Sequence, residues 1–211
     1  MLDVALHAFT TLFVVIDPLG LVPVLLALTV GAAAAERRRM ALKGTLIAGV
    51  ILLGFAVLGE PLLRLLSIGL PAFRTAGGVM LLLIAFEMVF ERRTGRRSRS
   101  ADELKDVGGP DDISVFPLAI PLLSGPGAIA SIMLLMARYE SDVTAQAVVI
   151  AMLLVVMALC VVIFLFVEPF ERLLGATLAH VISRLLGILL AALAVQYIFD
   201  GLRNAFGIGA G

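Results

Sequence analysis

The sequence predicts an all-α integral membrane protein of six transmembrane helices, arranged as two inverted three-helix repeats, with helices 1 and 4 broken at the membrane midplane. Three observations carry this. Of the 211 residues, 61% are hydrophobic and the mean hydropathy is +1.11, whereas soluble domains hold about 45–50% apolar residues. Six apolar segments reach the roughly 20 residues that a membrane crossing needs. Landmarks of the first half of the chain recur in the second.

The six segments run over residues 4–30, 41–66, 73–91, 115–137, 143–168 and 179–204. The first contains Ile16-Asp17-Pro18-Leu19-Gly20-Leu21-Val22-Pro23, the poorest helix formers available beside a carboxylate. Proline lacks an N–H and displaces the residue before it from helical geometry. Pro18 is expected to strand the carbonyl of Val14, and Pro23 that of Leu19. An orphaned backbone group in hydrocarbon costs several kcal/mol unless protein or trapped water satisfies it. The fourth segment carries the second break, where Pro121 and Pro126 are expected to strand the carbonyls of Pro117 and Leu122. Gly125 and Gly127 flank Pro126 and permit close backbone approach.

Connections are short except Glu91 to Ile113, rich in Arg, Ser, Gly, Asp and Glu and including Arg92-Arg93-Thr94-Gly95-Arg96-Arg97-Ser98-Arg99. This reads as a solvated cytoplasmic linker over residues 91–113, between a first repeat at 1–90 and a second at 114–211. With six crossings, one side gathers Arg37, Arg38, Arg39, Lys43, Arg92, Arg93, Arg96, Arg97, Arg99, Lys105, Arg172 and Arg184. The other holds Arg64, Arg74, Arg138 and Arg203. The positive-inside rule then places both termini outside. Re-entrant hairpins at segments 1 and 4 would leave that tally unchanged, so charge alone does not choose between the two topologies.

The repeat is read from matched landmarks. Glu60-Pro61-Leu62-Leu63-Arg64 matches Glu168-Pro169-Phe170-Glu171-Arg172 at a shift of 108 residues, and Pro18 falls on Pro126 at the same shift. At a shift of 109, Gly78 falls on Gly187, Ala85 on Ala194 and Glu87 on Gln196. Each half has an odd number of crossings, so the copies must be inverted. Inverted repeats with paired broken helices point to a secondary transporter with its site where the breaks meet.

Each break should restart a half-helix, near Leu21 and Gly127, whose first turn presents unpaired N–H groups and the positive end of the helix dipole. That suits a carboxylate, while freed carbonyls suit an ammonium group or a coupling Na⁺. The expected substrate-binding residues are Asp17, Pro18, Gly20, Leu21, Ser124, Gly125, Pro126 and Gly127. Asp17 is expected to carry a proton, ligate a cation or pair with an amine, or to cap its own half-helix. Thr10, Glu87, Ser131, Gln196 and Asp200 are candidates for the pathway or its gates, with helix–helix hydrogen bonding as the alternative. Glu60/Arg64 and Glu168/Arg172 read as i,i+4 pairs near the interface.

Other classes are disfavoured. Lys plus Arg and Asp plus Glu each number 16, so no strong field suggests nucleic acid. Met1-Leu2-Asp3 lacks the basic start of a signal peptide, so the first segment reads as retained. Cys160 is the single cysteine and has no partner. His7 and His180 stand near segment ends with no ligand cluster at metal spacing. No HExxH sequence, mid-membrane acid pair or Ser/His pairing suggests catalysis, and no cofactor or metal is expected beyond a coupling H⁺ or Na⁺. The partners expected are the lipid bilayer and a small-molecule substrate; a homo-oligomer is compatible with the sequence.

The two break motifs, Asp17-Pro18-Leu19-Gly20-Leu21-Val22-Pro23 and Ile120-Pro121-Leu122-Leu123-Ser124-Gly125-Pro126-Gly127-Ala128, resemble the paired signatures of the MarC (NAAT) family within the LysE-like transporter superfamily. The resemblance covers the whole chain, basic linker included. It implies a multi-pass protein of the bacterial or archaeal inner membrane that transports neutral amino acids such as alanine and glycine. Where the family often carries a polar residue after the first motif's glycine, this sequence has Leu21.

Overall fold

The computed structural model describes residues 1–90 and 113–207. The expected linker therefore lies, but for Ile113, outside the described residues, as do the side chains of Glu171, Arg172 and His180. The described residues form helices and turns, with no strand among them. Among the described residues four helices are long and apolar enough to cross a membrane, or five if the bent pair is one span.

The first segment divides as its prolines dictate. Helix α1 (Leu2–Ile16) ends at Asp17, whose backbone is left-handed at φ 54°, ψ 62°. A short helix, α2 (Val22–Leu28), follows. The expected orphan at Leu19 is absent, because its carbonyl accepts from the Val22 N–H at 3.2 Å. A turn one residue tighter replaces the bond that Pro23 could not make. Helix α3 (Ala34–Leu65) begins seven residues before the apolar segment. Its Ala, Glu and Arg residues are good helix formers, and Glu36 Oε2 accepts from the Ala33 N–H at 3.1 Å. Helix α4 (Leu70–Val89) starts with Pro71 in its first turn, where a missing N–H costs no helical bond.

The fourth segment departs furthest from a regular helix. Its first half, α5 (Ser114–Leu123), is wound widely, with extended backbone at Phe116 and Ile120. Each stands before a proline, which excludes the helical region. The Phe116–Pro117 and Ile120–Pro121 peptide bonds are cis. Its i→i+5 bonds include Leu118 N–H to Ile113 O (3.1 Å) and Ser124 N–H to Ala119 O (2.9 Å). Helix α6 (Pro126–Arg138) then sets off at 54° to α5.

Helix α7 (Val143–Leu165) is capped by Asp142, whose Oδ1 accepts from the Ala145 N–H at 2.9 Å. Helix α8 (Val167–Phe206) follows after Phe166 alone. This corrects the expected segment ends: Glu168-Pro169 opens α8 and does not close segment 5, and no connection separates residues 168 and 179. Proline in a first turn is a helix start, not a stop. The apolar span within α8 is Val181–Phe206.

Close contacts set the direction of each element. Gly44 of α3 lies against Ser114 and Leu118, and Gly59 lies against Met133. The α5–α6 pair thus runs beside α3 for 15 residues, or about 22 Å. A hairpin that turned back would not do so. Arg37, at the start of α3, pairs with Glu168 at 2.6 Å. Arg64, at its end, pairs with Glu60 and reaches Glu140 at 3.4 Å. Helices α3 and α7 are therefore antiparallel. The expected Glu60/Arg64 pair forms; Glu168 meets Arg37, which also donates from Nε to Thr29 Oγ1 at 2.9 Å, and the side chain of its expected partner Arg172 lies outside the described residues.

Helices α4 and α8 make the most intimate contact, and it is reciprocal. A Cβ on Gly78 would stand 2.8 Å from the Ala194 carbonyl oxygen and 2.7 Å from Ile198 Cγ1. A Cβ on Gly187 would stand 3.3 Å from the Ala85 carbonyl oxygen and 3.1 Å from Val89 Cγ2. The same three positions of each helix meet their counterparts. Gly78→Ala is expected to wedge these backbones apart and cost about 1–3 kcal/mol. Gly54, which has nothing near an added Cβ, should gain a few tenths to about 1 kcal/mol as alanine. Thermal midpoints of the two variants in detergent compare them directly.

Candidate functional site

At the first break, proline, left-handed backbone and carboxylate form a closed turn. Asp17 is buried, with 3% of its surface exposed. Its Oδ1 accepts from the Gly20 N–H and from Ser183 Oγ of α8, each at 3.1 Å. Its carbonyl accepts from the Leu21 N–H at 3.2 Å. Gly20 is required here because an added Cβ would press into the Asp17 carboxylate. Pro18, Gly20 and Leu21 are buried around this turn. The expected open N-terminus at Leu21 is thus corrected: the amides of Gly20, Leu21 and Val22 are already held by Asp17 and Leu19, and α2 has only seven residues.

The second break is built differently. Ser124 closes its turn on Ala119, whose carbonyl oxygen receives both the Ser124 N–H at 2.9 Å and its Oγ–H at 2.8 Å. Gly125 caps α6 with extended backbone, and Pro126 takes its first position. The next amides, Gly127 and Ala128, have no partner inside the helix by its geometry. Gly125 through Ala128 line a cavity of about 370 Å³, with Pro121 on one wall and Ile84 and Glu87 of α4 on another. The positive end of α6 and the Glu87 carboxylate border one space.

The two breaks approach each other. A Cβ on Gly127 would press into Ile84 and come within 3.5 Å of Val15 Cγ1, and Val15 lines the same cavity. Asp17 lies two residues beyond Val15, turned toward Ser183. Among the pathway candidates, Glu87 joins the cavity. Ser131 is fully buried one turn along α6, and its Oγ has no hydrogen-bond partner among the described residues. Thr10 is exposed on the outer face of α1, whereas Asp17, two turns on, is buried. Gln196 donates to Asp200 at 2.9 Å on the exposed side of α8, a local i,i+4 pair. Among the described residues, no three His, Cys, Asp or Glu side chains converge as metal ligands.

Sequence reasoning missed Ser183 and Ile84. Ser183 is 166 positions from Asp17, and the one signal for it was a hydroxyl near the start of an apolar segment. Ile84 carries no signal, since any apolar residue suits a membrane helix.

The sequence profile of the MarC family of integral membrane proteins matches residues 2–206. The chain belongs to the MarC family. Similar relatives are UPF0056 membrane proteins found in both bacteria and archaea. YvbG of Bacillus subtilis is 37% identical over 98% of this chain and 97% of its own length. A protein of Archaeoglobus fulgidus is 35% identical over 92% and 90%. YhcE of Escherichia coli is 32% identical over 94% and 91%. No solved structure matches the chain. As a MarC protein it is an integral, multi-pass membrane protein, and both breaks fall within the matched span.

Proposed function

We propose that this MarC protein is a secondary transporter of small neutral amino acids or similar small zwitterions, coupled to H⁺ or Na⁺, with its site at the paired breaks. The observation that carries the reading is the cavity at the second break, where a helix N-terminus and a carboxylate face a common volume. A substrate carboxylate would take the Gly127 and Ala128 amides, favoured by the α6 dipole, and the amine would face Glu87. A volume of about 370 Å³ lies at the small end of ligand sites. Asp17 holds the first break in shape and is the candidate for the coupling ion.

Alternating access would come from one half of the chain rocking on the other. Support for an inverted repeat comes from the reciprocal Gly78/Gly187 contacts and from pairing that is unchanged when the halves are exchanged. Segment 1 (α1–α2) packs on α7, as segment 4 (α5–α6) packs on α3, and segment 1 meets α8, as α6 meets α4. Six crossings, with the Arg37–Arg39 end inside and both termini outside, are the topology this reading expects under the positive-inside rule.

A second reading, a non-transporting structural or regulatory membrane component, is favoured by one observation. The Asp17 carboxylate spends its Oδ1 inside the protein, as a turn-forming residue would. Proteoliposomes holding the purified protein separate the two. Uptake of at least one small neutral amino acid, dependent on an imposed pH or Na⁺ gradient, is the expected result. No uptake from a full amino-acid panel under either gradient would leave the second reading standing.

A further inference from the structure

A second cavity lies apart from the breaks, between α3 and α7. We propose that it binds one anionic phospholipid, with the phosphate held by Arg38, Arg39 and Lys43 and an acyl chain laid along the groove. The groove has a volume of about 930 Å³. Its walls include Leu46 and Leu53 of α3 and Leu154 and Val161 of α7, and its basic rim stands at one end. From Arg39 to Leu53 is 14 residues, or about 21 Å of helix. That matches one leaflet, since a bilayer with its headgroup regions is about 40–45 Å thick.

Charge selects the occupant. Three cations stand within six residues at the end of an otherwise apolar groove, and each is worth about fivefold toward an anionic headgroup. Neither Arg38 nor Arg39 has an ion-pair partner among the described residues. An uncharged detergent or a sterol would satisfy the apolar walls and leave the rim unused.

Native mass spectrometry of the full chain, titrated with dioleoyl phosphatidylglycerol or dioleoyl phosphatidylcholine, tests this with identical acyl chains. The wild type is expected to hold phosphatidylglycerol at least about tenfold more tightly. Arg38→Gln, Arg39→Gln and Lys43→Gln together should bring that ratio close to one. Gly49→Leu should weaken both lipids with the charges intact, because an added Cβ there has open space down to Met157 at 3.9 Å and the longer side chain fills the groove. Reaction of the buried Cys160 with a thiol dye on heating verifies that each variant is folded. Equal affinity for the two lipids overturns the proposal, as does a preference that survives the triple substitution. So does undiminished binding by Gly49→Leu, or displacement of phosphatidylglycerol by excess glycerol 3-phosphate, which would mark a simple anion site.

Discussion

Asp17→Ala is expected to lower the stability of the protein by about 2–5 kcal/mol, the sum of two losses. Alanine leaves the Gly20 N–H and the Ser183 hydroxyl without their acceptor in a buried place, at about 1–3 kcal/mol for an unsatisfied group. It also forces a residue with no local hydrogen bond into left-handed backbone at φ 54°, at about 1–2 kcal/mol. Asp17→Asn should behave differently. Asparagine accepts left-handed backbone, and its side-chain oxygen can receive both bonds. The asparagine variant is expected to melt near the wild type and the alanine variant well below it, in the same detergent. In proteoliposomes, gradient-driven uptake by Asp17→Asn should fall by an order of magnitude or more. Coupled uptake at the wild-type rate in that variant would remove Asp17 from the coupling step and leave it as the residue that shapes the break.

That pair of variants marks where reading the sequence succeeded and where it stopped. Both breaks are legible because proline and glycine act on their own backbone: Pro18, Pro121 and Pro126 leave the chain no regular helix to follow. The close packing of Gly78 and Gly187 is legible for a similar reason, since a residue without a Cβ inside an apolar helix has little use other than close approach. The occupancy of Asp17 was not legible. Its capping of Gly20 is local and was one of two readings, but its bond to Ser183 depends on how α8 packs across the first break. The pairing of Glu168 with Arg37 is likewise tertiary. The start of α8 was misread because Glu-Pro carries opposite meanings at the two ends of a helix. The matching Glu60-Pro61, which lies inside α3 near its end, biased the reading toward a stop. Glu87 is a pathway candidate by sequence alone, and its place at the second break depends on how α4 packs there.

The second break yields the sharper test of the site, because two glycines two residues apart fail for different reasons. A Cβ on Gly125 would strike the carbonyl oxygen of Pro121, four residues earlier in the same turn. That turn is fixed on both sides, by the two Ser124 bonds to Ala119 and by Pro126 at the head of α6. Gly125→Ala is therefore expected to lose stability at the upper end of the overpacking range, about 3 kcal/mol, and to lose transport with it. A Cβ on Gly127 would instead strike Cδ1 of Ile84, the flexible end of a side chain beside an open cavity. Ile84 can turn aside into that space, so Gly127→Ala should stay folded while narrowing the volume between the α6 amides and Glu87. Uptake should fall with a raised KM and a near-normal melting midpoint. Ile84→Val, which removes the struck methyl, should restore uptake in the Gly127→Ala background. If Gly127→Ala transports with wild-type KM, the substrate does not occupy this cavity. If Ile84→Val fails to rescue a true loss, the glycine is needed for backbone approach to the substrate rather than for room beside Ile84.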